Sequence, residues 1–130
     1  MSFEAILRTI VEECGGGIGA ALMGNDGIPI EEFTAGKSPG ASASGEFGQP
    51  VDVGTAGVEF CRTLMDIRRV SDTLGGGPLE ETIIRVKGFM LVFQPVDDEY
   101  FLVLALERDG NLGKARYLIR RHVHAIRQEF

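Results

Sequence analysis

Two apolar runs decide the fold of this chain: Phe89-Met90-Leu91-Val92-Phe93 and Tyr100-Phe101-Leu102-Val103-Leu104-Ala105-Leu106. A strand with one face in water alternates apolar and polar residues, whereas these runs stay apolar at successive positions, so both of their faces should be covered. The connection Asp97-Asp98-Glu99 is short enough for an antiparallel hairpin. The pattern therefore predicts strands at Phe89 to Val96 and Tyr100 to Leu106, in a sheet that lies between helices.

Three more strands are predicted before these runs. Glu80 to Val86 reaches the first run through Lys87-Gly88, which completes an antiparallel meander. Ile18 to Met23 and Ile28 to Glu32 flank Gly24-Asn25-Asp26-Gly27, whose Asp-Gly pair favours a tight hairpin turn. The chain thus has five predicted strands.

Helical spacing of apolar residues predicts three helices. Ser2 can cap a first helix that runs to Cys14, where three glycines end it. Asp52 can cap the longest helix, which runs to about Leu74, and a last helix begins at Leu112. The element order is then α-β-β-α-β-β-β-α. We expect an α+β fold, an α/β sandwich with the first and last helices on one sheet face and the middle helix on the other.

Length and composition fit one globular domain at residues 1–130. The chain is 44% hydrophobic and 25% charged, which is too apolar for a disordered protein. Residues 34–51 are rich in Gly, Ser, Ala and Pro, which predicts a flexible surface loop. Cys14 and Cys61 form no Cys-x-x-Cys motif and no secretory signal precedes them, so we expect reduced thiols in a cytoplasmic protein.

The charge is acidic overall but unevenly distributed. The net charge of −6 opposes binding to nucleic acid. Residues 112–130 hold five Lys/Arg and one Glu, or +4, so residues 1–111 carry −10. We interpret the last helix as a solvated basic face in preference to a phosphate or membrane site. No apolar run approaches the ~20 residues that a membrane-spanning helix requires, so membrane insertion is not expected.

The middle helix has more apolar surface than one sheet contact would use. One stripe has the spacing of a buried helix face, and consists of Val53, Gly57, Phe60, Leu64, Ile67, Ser71 and Leu74. A second apolar set lies beside it, formed by Val58, Cys61 and Met65.

The same helix carries a charged group, Glu59, Arg62, Asp66, Arg68 and Arg69. Residues three apart on a helix are neighbours, so an ordinary exposed face and a partner-binding role are both open. Arginine can also act on a GTPase in trans by stabilising charge in the transition state.

No other motif predicts catalytic chemistry, a cofactor or a metal. Ala35-Gly36-Lys37-Ser38 resembles the end of a P-loop, but Glu31 stands where the first glycine is required. Gly15 to Gly19 follows a helix and enters a strand, the reverse of a dinucleotide-binding turn. His122 and His124 lie about 200° apart around a helix and cannot easily share one metal.

Three segments and the element order resemble the Roadblock/dynein light-chain family over nearly the whole chain. They are Ala20-Ala21-Leu22-Met23-Gly24-Asn25-Asp26-Gly27-Ile28-Pro29-Ile30, the run from Tyr100 to Leu106, and Asn111-Leu112-Gly113-Lys114-Ala115-Arg116. Within the family the chain is most similar to bacterial gliding-motility regulators that act with a Ras-like small GTPase. The resemblance implies a profilin-like or longin-like sheet in the order 2-1-5-4-3. It also implies that such regulators remodel the GTPase's own residues, without supplying an arginine.

The resemblance further implies a homodimer that joins two sheets at the strand from Glu80 to Val86, with the long helices side by side. An open edge is an aggregation hazard unless something pairs with it. The interface should then contain Val58, Cys61, Met65, Glu81, Thr82, Ile83, Ile84, Arg85 and Val86. A two-fold axis at Ile83 would place Glu81 opposite Arg85 of the partner subunit.

These features predict a non-enzymatic regulator or adaptor of a Ras-like GTPase, with that GTPase or a paralogous light-chain protein as partner. A scaffold without effect on nucleotide turnover is the alternative. A small-molecule sensor or enzyme ranks below both, because no catalytic groups converge in the sequence.

Overall fold

The computed structural model describes residues 2–35 and 51–130. The elements follow the predicted order: α1 (Phe3–Glu13), β1 (Gly17–Gly24), β2 (Pro29–Thr34), α2 (Val53–Thr73), β3 (Thr82–Arg85), β4 (Phe89–Pro95), β5 (Tyr100–Glu107) and α3 (Leu112–Gln128). Residues 36–50 of the predicted loop lie outside the described residues, and so do Gly36, Lys37 and Ser38 of the P-loop-like segment.

The sheet is antiparallel with strand order β2-β1-β5-β4-β3, as predicted. Strand β3 is shorter than expected and pairs Thr82 with Phe93 and Arg85 with Met90. Continuing this register would place Glu80 opposite Pro95. Proline has no amide hydrogen to donate to a neighbouring strand, so the ladder ends before it.

The turn between β1 and β2 moves the second strand later than predicted. Asp26 Oδ1 accepts a hydrogen bond from the Ile28 amide, and Gly27 has a φ of 85°. The register shifts between Leu22 and Met23, which marks a bulge. As a result β2 begins at Pro29 and not at Ile28.

Side-chain caps explain where the helices start. Ser2 accepts from the Ala5 amide, Asp52 from the Gly54 and Thr55 amides, and Asn111 from the Lys114 amide. These bonds satisfy amides that have no partner within their own helix. Helix α2 ends with Leu74 as its cap, followed by Gly75 at a φ of 72°.

The core consists of two apolar clusters, one on each sheet face. Helices α1 and α3 cover one face, where Ile6, Ile10 and Ile119 pack with Leu22 and Leu104. Helix α2 covers the other face, packing there with Ala21, Met23, Leu91, Phe93, Phe101 and Val103. Strands β4 and β5 thus have both faces covered, which confirms the prediction from their unbroken apolar runs.

A glycine junction ties α1 to the start of α3. The carbonyls of Gly15 and Gly16 accept hydrogen bonds from the amides of Asn111 and Glu107. Gly16 has a φ of 89°, and a Cβ there would lie 2.7 Å from the Gly110 Cα. The junction therefore requires glycine for both its conformation and its space.

Removal of the α2 cap is expected to destabilise the protein modestly. Asp52→Ala deletes the acceptor for two amides and for the Thr55 hydroxyl, which lies 2.9 Å from Asp52 Oδ2. We expect the free energy of unfolding, measured with urea, to fall by about 1 kcal/mol. Asp52→Asn keeps an acceptor and should lose less, so equal losses in the two variants would contradict a capping role.

Candidate partner-binding surfaces

The edge strand β3 is the first candidate surface. It is the last strand in the sheet order, so its outer side pairs with no strand of the described chain. Ile83 and Ile84 are half-buried, whereas Arg85 and the following Val86 are exposed. A bare edge with apolar side chains is suited to pairing with another strand.

Helix α2 has two flanks, which face opposite edges of the sheet. On one side, the Phe60 ring lies 5.5 Å from the Phe93 ring of β4, and Ile67 packs in the same cluster as Ile84 of β3. On the other side, the Cys61 sulfur lies beside Gly27 in the β1–β2 turn. We call the first the β3-side flank, formed by Thr63, Ile67, Val70 and Leu74, and the second the hairpin-side flank, formed by Val58, Cys61 and Met65.

The sequence assigned the hairpin-side flank to a dimer interface. Most of this flank is already packed against its own chain. Cys61 and Met65 are half-buried against the α2-side cluster of their own chain, and only Val58 is exposed. Cys61 also donates to the Val58 carbonyl at 3.2 Å.

The sequence did not assign the β3-side flank to an interface. Val70 is 46% exposed and Leu74 is 78% exposed, although the spacing of the stripe predicted that Leu74 faces the core. That expectation is wrong. The β3-side flank lines a shallow cavity of about 440 Å³, together with Asp66, Ser71 and Gly76.

Four of the five charged candidates share the outward face of α2. Glu59, Arg62, Asp66 and Arg69 are exposed, and Arg69 lies 4.0 Å from Asp66. A pair this exposed contributes little to stability. Arg68 is turned about 100° from Arg69 around the helix, is half-buried, and places Nη1 3.7 Å from the Met65 sulfur. The structure therefore separates Arg68 from the other four.

An ion pair missed by the sequence analysis anchors the residue that precedes β3. Arg116 Nε donates to both Glu81 carboxylate oxygens, at 3.1 and 2.9 Å, and Arg116 Nη2 lies 2.9 Å from Oε1. Hydrogen bonding and the charge of Glu81 raise the pKa of Arg116. Arg85 of the partner subunit would have to share a carboxylate that Arg116 already holds.

Comparison with known structures decides the family. The crystal structure of MglC from Myxococcus xanthus is 32% identical to this chain, covers 100% of both chains and superposes with a TM-score of 0.68. The chain belongs to the Roadblock/dynein light-chain family. No protein-family model and no curated protein matches the sequence.

More distant structures share the Roadblock fold alone. The gliding protein MglB from Thermus thermophilus is 18% identical, with 95% of this chain and 84% of that chain covered and a TM-score of 0.78. A Roadblock/LC7 domain from Streptomyces avermitilis is 12% identical, with 99% and 98% covered and a TM-score of 0.79. The sheet order 2-1-5-4-3 predicted from the resemblance is therefore confirmed.

The two thiols of this Roadblock domain occupy different environments. Cys14 is fully buried, and burial raises the pKa of its thiol, which keeps it protonated and poorly nucleophilic. Cys61 is half-buried on α2. Both are free cysteines.

The remaining motifs of this Roadblock domain supply no assembled site. Gly15 and Gly16 link α1 to β1, so they do not precede a helix as a dinucleotide turn does. The described ranges contain no group of three or more His, Cys, Asp or Glu that could hold a metal ion. Nor does any helix in them combine the length and apolar character needed to cross a bilayer.

Proposed function

We propose that this Roadblock protein is a homodimeric, non-enzymatic regulator or adaptor of a Ras-like small GTPase, acting in the cytoplasm in gliding motility or cell polarity. The observation that carries the proposal is the 32% identity to MglC over the full length of both chains. A bare β3 edge next to an exposed flank of α2 supports it, because a second copy could cover both at once.

In the proposed dimer, the β3 strands of two copies pair across a two-fold axis and form one ten-stranded sheet. The interface includes Glu81, Thr82, Ile83, Ile84, Arg85 and Val86. The bidentate Arg116 contact holds Glu81 in place, so Ile83 and Ile84 provide the apolar centre of the strand pair. The two α2 helices then approach each other through their β3-side flanks.

The outward face of the paired α2 helices is the proposed docking surface for the GTPase or for a paralogous light-chain protein. Each copy contributes Glu59, Arg62, Asp66 and Arg69, which are exposed and carry both charge signs. Surfaces of this kind select partners by charge complementarity. Arg68 lies off this face and makes no part of it.

A scaffold that joins proteins without altering nucleotide turnover is the second candidate. Such a scaffold would form the same dimer and use the same docking surface. The face of α2 could bind a GTPase without changing its rates of nucleotide hydrolysis or exchange. An enzyme or small-molecule sensor has less support, because Cys14 is buried and residues 2–35 and 51–130 hold no group of three or more His, Cys, Asp or Glu that could bind a metal ion.

Nucleotide turnover by the cognate GTPase distinguishes the first two candidates. With the protein in excess, we expect hydrolysis or exchange by the GTPase to change by at least about tenfold. Arg62→Glu, on the docking surface, should weaken GTPase binding by about tenfold, whereas Arg121→Glu, exposed on α3, should leave it unchanged. Binding without any change in either rate would establish the scaffold, and equal losses in the two variants would reject the docking surface.

A further inference from the structure

The ion pair between Glu81 and Arg116 lies at the edge where two copies are proposed to meet. Arg116 Nε donates to both carboxylate oxygens of Glu81, and Arg116 Nη2 lies 2.9 Å from Oε1. The Glu81 side chain is 21% exposed and the Arg116 side chain 38% exposed, so solvent screens this pair less than it screens a fully exposed one. The charge of Glu81 is therefore already compensated within its own chain.

Arg85 lies on the same sheet face as Glu81 but has no carboxylate of its own. Ile83 packs in the cluster beneath α1 and α3, and residues two apart along a strand point to the same face. Glu81 and Arg85 are each two residues from Ile83, and the contact of Glu81 with Arg116 of α3 agrees with this placement. Arg85 is exposed and forms no ion pair within residues 2–35 and 51–130.

The register of the proposed homodimer leaves too much positive charge on this face. Antiparallel pairing about Ile83 places Arg85 of each copy opposite Glu81 of the partner subunit. Each copy then contributes two arginines, Arg85 and Arg116, and only one glutamate. Like charges that lie across a strand pair destabilise it. The ends of the homodimer strand pair are therefore mismatched in charge, although its apolar centre can still hold two copies together.

Neighbouring charges do not remove this mismatch. Glu80 would lie opposite Val86 of the partner subunit in this register, one position away from Arg85. Lys87 is exposed two residues after Arg85 and adds a further positive charge at that end of the edge. A free carboxylate directly opposite Arg85 is what the homodimer lacks.

A partner strand supplies that group if it has a carboxylate at the position of Glu81 and no arginine at the position of Arg116. Arg85 then gains a charge-assisted hydrogen bond across the strand pair. The Glu81 carboxylate of this chain, held by Arg116, needs nothing in return from such a partner. The charges at this edge thus fit a complementary strand better than they fit a second copy.

We propose that Arg116, by holding Glu81, makes the β3 edge select a partner strand with an unpaired carboxylate over a second copy of this chain. This inference rests on the proposed β3 dimer and specifies the chemistry of the paralogous light-chain protein that joins it. Arg116 is a positioning residue, since it acts on the interface through Glu81. The isolated protein is a homodimer, and it exchanges into mixed dimers when a paralogue of this kind is present.

The test uses a variant of the full chain as a defined partner. Arg85→Ala combined with Arg116→Met leaves Glu81 unpaired and offers no arginine at the edge. Wild type and this double variant are mixed in equal amounts at low ionic strength, and native mass spectrometry measures the dimers after exchange. Chance assortment makes about half of the dimers mixed. We expect the ratio of mixed to like dimers to exceed the chance value at least about tenfold, because only the mixed dimer pairs Arg85 with a free Glu81.

Arg85→Ala alone is the matched control. It changes the same edge but leaves Glu81 held by Arg116, so it should mix with wild type at the chance ratio. Arg116→Met alone frees Glu81 for Arg85 in both directions of the homodimer. Its dimer dissociation constant, from sedimentation equilibrium, should therefore fall at least about threefold, whereas a merely structural ion pair would make it rise.

Chance assortment of the double variant with wild type, or a looser Arg116→Met dimer, would overturn the inference while leaving the proposed homodimer intact. A wild-type protein that forms no dimer would reject both. Melting temperatures within a few degrees of wild type confirm that the variants fold.

Discussion

Val70→Asp is expected to convert the proposed dimer into monomers. Val70 is 46% exposed on the β3-side flank, and it becomes buried when two copies of α2 pack against each other. In the proposed dimer the substitution would bring two carboxylates, one from each copy, into an apolar contact. We expect the dimer dissociation constant to rise at least ~1000-fold, which corresponds to about 4 kcal/mol. Sedimentation equilibrium over a range of concentrations measures it.

Val58→Asp is a closely matched control for this effect. Val58 is also 46% exposed, lies on the same helix, and sits about 120° from Val70 on the hairpin-side flank. The substitution adds the same charge to an equally exposed site, so we expect the dimer to persist. Monomers from Val58→Asp together with a stable Val70→Asp dimer would move the interface to the hairpin-side flank. A wild-type protein that is monomeric at high concentration would remove the dimer altogether.

Phe93→Ala is expected to cause the largest loss of folding stability. Phe93 is 1% exposed in the middle of β4, and its ring lies 5.5 Å from Phe60 and 6.2 Å from Phe101. Truncation removes buried apolar area, leaves a cavity under α2 and breaks both aromatic contacts. We expect the free energy of unfolding, from urea titration, to fall by about 3–5 kcal/mol.

Tyr117→Ala provides the comparison for Phe93→Ala. Tyr117 is another large aromatic residue but is 54% exposed on α3, so its removal should change the free energy of unfolding by less than about 0.5 kcal/mol. Similar losses in the two variants would show that the cluster beneath α2 does not hold the fold as described.

The fold could be predicted from the sequence because local signals and burial agree. Ser2 and Asp52, which the sequence predicted as helix caps, accept the expected amide hydrogen bonds, and Asn111 caps the last helix in the same way. The unbroken apolar runs in β4 and β5 are covered on both faces. The length of β3 was not predicted correctly. It is limited by Pro95 of the neighbouring strand β4, which lies nine residues after Val86 in the chain.

The candidate surfaces were harder to predict, because they depend on the angle at which α2 crosses the sheet. Spacing of three and four identifies a buried stripe but not the point where the helix runs past the sheet, and this is why Leu74 is exposed. Likewise, no local pattern connects Glu81 with Arg116, which are 35 residues apart. The chemistry of an arginine on α3 depends on which loop the fold brings to it.

The five strands divide the interior into two apolar compartments that have no residue in common. Helices α1 and α3 complete one compartment, and α2 completes the other. Substitutions that refit α2 to a new associate therefore leave the packing beneath α1 and α3 untouched. Duplicated genes that encode this fold can therefore diverge in the partner that α2 binds, while the core beneath α1 and α3 keeps its packing.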